Sequence, residues 1–385
     1  MDFLTSRINR ISPSITLQMT SKASELRRLG KPVFNMSVGE PDFPTPKNIQ
    51  EAGIYAIQNG HTKYTSGSGT FELKEAIQTK FKRDNNLNYN IDEIVVSCGG
   101  KHSLYNTCQA LFEKGDEVII FSPYWVSFPD FVSVTGANPI FVSTNKESQY
   151  EPNFKELEQK ITKQTKGIII NSPSNPTGGV WSDEAILRLI DLCKSRKDIW
   201  IFSDECYEQL TYNIPFKSPA SLTDYDKIIT FQSCSKTYAM TGWRIGYIGG
   251  DKNVVTAVSK LQGQSTSCPN SIAQYAAIEA LVGDQKCIKI MREKFLKRRN
   301  LILSLIREIP NTLCKTPNGA FYIFVDFSYY LSGLTLKGHK IKNSVDLCSY
   351  ILETTGVVTV PGDSFGAPGH IRFSYATSEE TITKA

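Results

Sequence analysis

One lysine of this chain stands among residues that could bind both an aldehyde and a phosphate ester. Lys236 follows an apolar run at 228–231. Its polar neighbours are Ser233, Ser235 and Arg244. Hydroxyl groups and a guanidinium bind phosphate, and a lysine amine that is partly unprotonated forms an imine with an aldehyde. The segment therefore predicts a site for a phosphorylated aldehyde, although an isolated lysine is more often a solvated surface charge.

Four further side chains could bind an aromatic ring that carries such an aldehyde. Asp204 follows the apolar run 199–202, and its carboxylate could keep a pyridine nitrogen protonated so that the ring takes up electrons. Tyr207 and Asn175 could donate to a phenolate oxygen, and Trp125 could stack on the ring. Each has an ordinary alternative: a helix cap or loop residue for Asp204, turn chemistry for Asn175, and core packing for the two aromatic residues. At this point both interpretations stay open.

Two more segments could bind anionic groups. Gly99 and Gly100 lie between a strand-like and a helix-like stretch, where backbone amides can approach an anion and a helix N-terminus favours negative charge. A plain tight turn is the alternative. Arg372 lies in a strand-like alternation, and its guanidinium could bind a carboxylate through two hydrogen bonds, whereas a surface ion pair is the ordinary interpretation. A nicotinamide site fits poorly, because the Gly-x-Gly-x-x-Gly fingerprint is missing.

The pattern of strands and helices explains how these residues could meet. Short apolar runs alternate with helical periods, at 94–96, 118–121, 168–170, 199–202, 228–231 and 245–248. Strands that are apolar on both faces predict an α/β fold with a mostly parallel central sheet sandwiched by helices. Ligands bind beyond the carboxyl ends of such strands, which is where the candidate residues fall. The length of 385 residues predicts two domains, a large one at 46–284 and a smaller α+β one built from 1–45 and 285–385.

Composition narrows the function classes. Hydrophobic residues make up 40% of the chain, charged residues 21%, and the formal net charge is +5, which is ordinary for a soluble enzyme. The basic run 297–299 lies in a helical pattern and is interpreted as a solvated face. Basic and aromatic residues are not interleaved as nucleic-acid binding would favour, and no apolar run is long enough to span a membrane.

The cysteines and histidines point to an intracellular protein without a metal site. The nine cysteines include no Cys-x-x-Cys pair, so reduced thiols are expected. The four histidines show no metal-ligand spacing. The first residues lack a hydrophobic signal core. We therefore expect a cytoplasmic protein that binds neither metal, nucleic acid nor membrane.

Taken together in their order, these segments resemble the class I/II aminotransferases, pyridoxal 5'-phosphate enzymes of fold type I. The similarity covers almost the whole chain. The matching segments are 38–46, 63–64, 171–178, 203–207, 235–244 and 371–377. The most similar branch is that of the bacterial-type aspartate aminotransferases, some of which also act on prephenate.

The resemblance implies a role for each candidate. Lys236 would bind the cofactor aldehyde as an imine and move a proton, with Asp204 and Tyr207 as the other catalytic residues. The cofactor would be bound by Gly99, Gly100, Lys101, Trp125, Asn175, Asp204, Tyr207, Ser233, Ser235, Lys236, Arg244 and, from a partner subunit, Tyr64. The substrate would be bound by Gly39, Lys101, Trp125, Asn175 and Arg372. The resemblance also implies a homodimer with shared sites, and cis peptide bonds at Ser122-Pro123 and Asn175-Pro176.

Substrate choice depends on fewer residues. In this branch the lysine after the paired glycines, here Lys101, is implicated in recognising an acidic side chain, and residues 12–16 resemble a segment that closes over that end. The arginine that another branch uses is missing from 262–269. We therefore expect transfer from aspartate to 2-oxoglutarate, with prephenate as a further candidate. The alternatives are a transaminase for aromatic or other amino acids and a β-lyase on the same scaffold; a ligand-sensing module is disfavoured because Lys236 is present.

Overall fold

The structure is a computed structural model that describes residues 3–11, 15–196, 199–334, 338 and 340–385. Ser12, Pro13 and Ser14, which begin the predicted closing segment, lie outside the described residues. The strands are β1 Phe34–Asn35, β2 Ile94–Ser97, β3 Glu117–Ser122, β4 Asn138–Asn145, β5 Glu151–Pro152, β6 Thr165–Asn171, β7 Trp200–Asp204, β8 Ile228–Ser233, β9 Gly246–Gly249, β10 Leu313–Cys314, β11 Tyr322–Asp326, β12 Val357–Val358, β13 Val360–Pro361 and β14 His370–Ser374. The α-helices are α1 Ile15–Arg28, α2 Lys47–Gln58, α3 Phe71–Asn85, α4 Gly100–Leu111, α5 Phe128–Ser133, α6 Phe154–Lys160, α7 Asp183–Arg196, α8 Cys234–Thr237, α9 Lys252–Ser265, α10 Ser271–Val282, α11 Lys286–Ile306, α12 Ser344–Thr355 and α13 Glu379–Lys384.

The largest sheet has the order β2-β9-β8-β7-β6-β3-β4-β5. The five strands from β8 to β4 run parallel, which confirms the predicted mostly parallel sheet. The strand β9 runs antiparallel to both of its neighbours. The sequence did not distinguish that direction, because a buried apolar strand has the same composition in either orientation.

Helices cover both faces of this sheet because its strands are apolar on both sides. Along β3, Ile120 packs with α4 and α9 in one hydrophobic cluster, whereas its neighbour Ile119 packs with α6 and α7 in another. Successive side chains of a strand point to opposite faces, so a continuous apolar run needs a helical layer on each side. The carboxyl ends of the strands are left for polar residues.

A second sheet is antiparallel and brings the two ends of the chain together. Its order is β10-β11-β14-β13, and β1 pairs separately with β12. A hydrophobic cluster joins residues of α1, α11, α12 and α13 to this sheet. The architecture is therefore α/β with an additional α+β part. The division into 46–284 and 1–45 plus 285–385 stays a prediction.

The interpretation of the basic run 297–299 as a solvated face is wrong for two of its three residues. Arg298 is buried and donates from both terminal nitrogens to the Asp42 carboxylate, at 2.7 and 3.0 Å. Arg299 is buried and donates to the Pro317 carbonyl oxygen at 2.9 Å. A helical pattern shows which residues share a face, but not whether a distant carboxylate covers that face.

The predictions for the cysteines and for two cis peptide bonds are confirmed. All nine cysteines are unpaired. The peptide bonds Ser122-Pro123 and Asn175-Pro176 are cis, as is Ser172-Pro173, which was not predicted. Within the described ranges, no helix combines the length and apolar character that crossing a membrane requires.

Candidate active site

A cavity of about 790 Å³ lies where β6, β7 and β8 end. It brings together most of the residues that the sequence predicted. Those that line it are Gly39, Gly100, Lys101, Trp125, Asn175, Asp204, Tyr207, Ser233, Ser235, Lys236, Arg244 and Arg372. A wider cavity of about 1160 Å³, whose lining includes the Lys146–Asp326 ion pair, contains none of them. The chemistry of the residues therefore points to the smaller cavity.

One end of the cavity is suited to a phosphate group. Gly99 precedes α4 with φ +93° and no side chain caps this helix, so backbone N–H groups of its first turn are available to an anion. A Cβ atom on Gly99 would lie 2.3 Å from Arg244 Nη2, and one on Gly100 would lie 3.9 Å from Ser233 Oγ. A Cβ atom on Gly246 would lie 2.1 Å from the Gly100 nitrogen. Gly99 and Gly246 thus let Arg244 and β9 approach the start of α4, whereas a Cβ atom on Gly100 would make only ordinary contact with β8.

Lys236 lies in α8, directly after β8, and its Nζ donates to the Gly39 carbonyl oxygen at 2.5 Å. Desolvation is the main influence on this side chain and lowers the pKa of its ammonium group; Cys206 and Glu40 oppose that effect, and Arg244 adds to it. A lowered pKa leaves more neutral amine near neutral pH than an exposed lysine has. Lys236 is therefore suited to act as a nucleophile and as a proton carrier.

Asp204 is the last residue of β7 and is buried in the same cavity. Its carboxylate accepts a hydrogen bond from the Cys206 amide at 3.2 Å. Desolvation raises the pKa of Asp204 to about 7, while the Cys206 amide and the charge of Lys236 act in the opposite direction. Within the described chain, no lysine, arginine or histidine forms an ion pair with Asp204. A ligand that presents a protonated nitrogen would supply the missing positive charge.

Arg372 on β14 offers a guanidinium to the cavity. It donates from Nη1 to Asn175 Oδ1 and from Nη2 to the Ser37 carbonyl oxygen, both at 2.8 Å. Its carbon Cζ lies 4.4 Å from the centre of the Tyr322 ring and 5.1 Å from that of Phe365. Arg372 is buried, its Nε has no hydrogen-bond partner, and no carboxylate of the described residues pairs with it. This arrangement suits a carboxylate ligand.

Lys101 provides a second cationic group. Its Nζ lies 5.0 Å from the centre of the Trp125 ring. Edge-on contacts with Phe128 and Phe131, at 5.4 and 5.8 Å, support that ring. Desolvation, followed by the charge of Arg244, lowers the pKa of Lys101. Lys101 is nevertheless exposed as a residue, so a carboxylate that enters the cavity can approach its ammonium group.

Some site residues were missed, and two predicted residues do not line the cavity: Gly99, which directly precedes the lining residue Gly100, and Tyr64. Tyr322, Phe365 and Cys206 line the cavity, but in the sequence they look like ordinary strand or loop residues. Cys206 Sγ lies 3.2 Å from Ser233 Oγ. Tyr64 is 87% exposed and is not part of the cavity, so its predicted role requires a second subunit. Only Cys206 carried a sequence signal, because it lies two residues after the last residue of β7.

Comparisons with known proteins identify the family of this chain. The family model "Aminotransferase class I and II" matches residues 31–385. The chain is 44% identical to a probable aspartate/prephenate aminotransferase of Rickettsia bellii, over 100% of this chain and 97% of that protein. It is 42% identical to an aspartate/prephenate aminotransferase of Cereibacter sphaeroides, with the same coverage.

Solved structures of aspartate aminotransferases are similar to this chain over almost its whole length. An aspartate aminotransferase from Rhizobium meliloti superposes with a TM-score of 0.95 and 40% identity, over 99% of this chain and 96% of that one. The aspartate aminotransferase from Thermus thermophilus with maleate gives a TM-score of 0.93 and 38% identity, over 100% and 98%. The chain belongs to the class I and II aminotransferases.

Proposed function

We propose that this aminotransferase uses pyridoxal 5'-phosphate to move the amino group of aspartate to 2-oxoglutarate, and that prephenate is a further acceptor. One observation carries the proposal: two cationic side chains, Arg372 and Lys101, line the same cavity as Lys236 and Asp204. Two cations suit a substrate with two carboxylates. The names of the relatives from Rickettsia bellii and Cereibacter sphaeroides, which include aspartate and prephenate, support the same substrates.

The residues present fit the cofactor. The buried carboxylate of Asp204 is without a cationic partner in the described chain, and the glycines at the start of α4 leave room for a phosphate beside Arg244. When bound, pyridoxal phosphate supplies an aldehyde that carries the amino group and a ring that takes up electrons from the substrate Cα. The protein supplies binding, orientation and proton transfer.

We assign the proton-handling roles to residues at the ends of β7 and β8. Lys236 binds the aldehyde, and its free amine moves a proton at the substrate Cα, a role that typically contributes ~10²–10⁴-fold in rate. Asp204 holds a proton at the pyridine nitrogen. Tyr207 and Asn175 donate to the ring oxygen. Because Asn175 Oδ1 accepts from Arg372, the Asn175 amide NH₂ is the group left to donate.

The remaining roles concern binding. The backbone amides of Gly100 and Lys101 bind the phosphate together with Ser233, Ser235 and Arg244, and Gly99, whose own amide donates to the Ser97 carbonyl oxygen, shapes the turn before them. Trp125 orients the ring by stacking. Arg372 binds the α-carboxylate together with Asn175 and the Gly39 backbone, and Lys101 binds the side-chain carboxylate.

We also propose a homodimer in which Tyr64 of the partner subunit completes the phosphate site. Exposed apolar side chains near Tyr64 support this proposal. Ile54, Tyr55, Ile57 and Phe71 lie within ten residues of Tyr64 in the sequence and are each between 52% and 59% exposed. Exposed apolar residues that cluster are typical of interaction surfaces. In the same assembly, 1–45 with 285–385 forms a small domain that closes on 46–284. The nine unpaired cysteines support a reducing, cytoplasmic location.

The test is a half-reaction in purified, cofactor-loaded protein. We expect L-aspartate alone to convert the visible absorbance band to the shorter-wavelength band of the aminated cofactor, and 2-oxoglutarate to reverse that change. Lys236→Ala, the control, should bind cofactor but convert ~10²–10⁴-fold more slowly, since it lacks the positioned base.

Other outcomes would change the proposal. Conversion by aromatic or aliphatic amino acids but not by aspartate would contradict the substrate assignment and keep the reaction. Turnover of an amino acid without any keto acid would support a lyase instead.

A further inference from the structure

Tyr322 contacts two site residues, Tyr207 and Arg372, that lie far apart in the sequence. It is the first residue of β11, is buried, and lines the cavity. Its hydroxyl oxygen lies 2.8 Å from that of Tyr207, and its ring centre lies 4.4 Å from the Arg372 guanidinium carbon. One side chain therefore joins the residue proposed to face the cofactor oxygen to the residue proposed to bind the substrate carboxylate.

When a ligand oxygen accepts a hydrogen bond from Tyr207, only one direction is left for the hydrogen bond between the Tyr207 and Tyr322 hydroxyl groups. Each phenol has one proton to donate. If Tyr207 donates to Tyr322, it has no proton left for a ligand; if Tyr322 donates, the Tyr207 proton is free to face the cavity. The 2.8 Å separation fits a hydrogen bond in either direction. The positive charge of Arg372 lies against the Tyr322 ring and favours negative charge on the Tyr322 oxygen, which makes its hydroxyl the better donor. This contact therefore favours Tyr322 as donor and Tyr207 as acceptor.

The ring of Tyr322 has a separate effect on Arg372. The guanidinium lies between two aromatic rings, Tyr322 and Phe365, at 4.4 and 5.1 Å. Two hydrogen bonds, to Asn175 and to the Ser37 carbonyl oxygen, hold its terminal nitrogens. Contacts on its faces hold the plane of the group and leave its edge for a carboxylate, which needs that orientation for two parallel hydrogen bonds.

We propose that Tyr322 is a positioning residue for the transamination site: its hydroxyl orients the Tyr207 donor toward the cofactor, and its ring orients Arg372 toward the substrate carboxylate. This inference rests on the proposed function. It predicts that the two effects are separable, because the hydroxyl and the ring contact different partners.

Two substitutions separate the effects. Tyr322→Phe removes the hydroxyl and keeps the ring, and Tyr322→Leu removes both. The readouts are the pH midpoint of the visible band of the loaded protein and the dissociation constant of maleate, a dicarboxylate that cannot donate an amino group. Tyr375→Phe is the matched control, because Tyr375 is also buried and its hydroxyl donates to the Ala320 carbonyl oxygen at 3.1 Å, outside the cavity lining.

For Tyr322→Phe we expect the pH midpoint to rise by about half to one pH unit, a three- to tenfold change in proton affinity, because an oriented donor stabilises the anionic ring oxygen. Maleate affinity should stay within about twofold. Tyr322→Leu should show the same midpoint and weaken maleate by about 3- to 30-fold through loss of the cation–π contact. Circular dichroism of all three variants checks that they are folded.

Two results would overturn the inference. A midpoint for Tyr322→Phe equal to that of the wild type would show that the hydroxyl does not orient Tyr207. Equal maleate constants for the Phe and Leu variants would show that the ring does not orient Arg372. If the wild-type protein itself bound no pyridoxal phosphate, the proposed function would fail instead, so the two failures are distinguishable.

Discussion

Replacing Lys101 by glutamine tests the substrate assignment most directly. Lys101 lies in the first turn of α4, and its Nζ is 5.0 Å from the centre of the Trp125 ring. Desolvation and Arg244 lower the pKa of this ammonium, while Asp130 opposes them. Glutamine keeps a hydrogen-bond donor of similar reach and removes the positive charge. The variant therefore isolates the charge of Lys101 from the space that its side chain fills.

The expected loss follows from the attraction between this ammonium, on an exposed side chain at the cavity, and the substrate carboxylate. Two unit charges 4 Å apart attract by about 4 kcal/mol at an effective dielectric constant of 20. Desolvation of the incoming carboxylate offsets part of that attraction, so a net contribution of about 1.5–3 kcal/mol is reasonable for a hydrogen bond between charged groups. At about 1.4 kcal/mol per factor of ten, the rate constant for aspartate should fall roughly 10- to 150-fold. An amino acid without a side-chain carboxylate should change by less than about threefold, because it makes no such contact.

The assay is a single turnover of loaded enzyme with amino acid alone. Keto acids are left out because 2-oxoglutarate carries two carboxylates and would be affected too. Lys82→Gln is the control: Lys82 is exposed on α3, so this variant reproduces the change in net charge away from the cavity. An equal loss for aspartate and leucine would mean that Lys101 serves only the phosphate. No loss with either would remove Lys101 from the site.

Two further substitutions test the carboxyl groups at the end of β7. Asp204→Asn should slow the same half-reaction by about 10²–10⁴-fold, because removing one partner of a buried ion pair costs about 3–5 kcal/mol; an unchanged rate would show that Asp204 does not pair with the cofactor. Burial raises the pKa of Glu205 from 4.5 to about 7, so between these values the folded protein keeps a proton that the unfolded chain releases. The free energy of unfolding should therefore fall as pH rises through that window, by up to about 3 kcal/mol. Glu205→Gln should lack that part of the slope when urea unfolding is compared at pH 5 and pH 7.5, and identical slopes in the two proteins would contradict the assignment.

Much of the site could be predicted because its residues follow apolar strands. Asp204 is the last residue of β7, and Asn175 and Lys236 come within four residues after β6 and β8. Parallel strands end at the same edge of a sheet. Local pattern was therefore sufficient to bring these three together. Arg372 was different: it lies on β14 of the other sheet, and only the resemblance to a family indicated that it reaches the cavity.

The features that could not be predicted depend on contacts between distant parts of the chain. Asp42 binds Arg298 across 256 residues, and Tyr207 meets Tyr322 across 115. Periodicity reports which face of an element is apolar, but it carries no information about the element that covers that face. For this reason Tyr322 looked like one more residue of an apolar strand.

A buried polar network stabilises the turn that carries Asp204 and Tyr207. Glu205 accepts hydrogen bonds from Ser203, Ser218 and Gln232, at 2.9, 2.6 and 2.9 Å. Lys80 donates to Gln232 at 2.6 Å, to Asn85 at 2.7 Å, and to Glu208.

This network fixes the orientation of the turn that carries the two site residues. Glu205 directly follows Asp204, and Glu208 directly follows Tyr207, so each site residue has a neighbour that is fixed on the buried side of the turn. The three protons of the Lys80 ammonium all have acceptors, which satisfies a charge that would otherwise be costly to bury. An apolar layer could pack equally well but would not fix the rotation of the turn, since dispersion contacts lack direction. Directional contacts are what the two site residues need, because their donor and acceptor atoms must each face one atom of the cofactor ring.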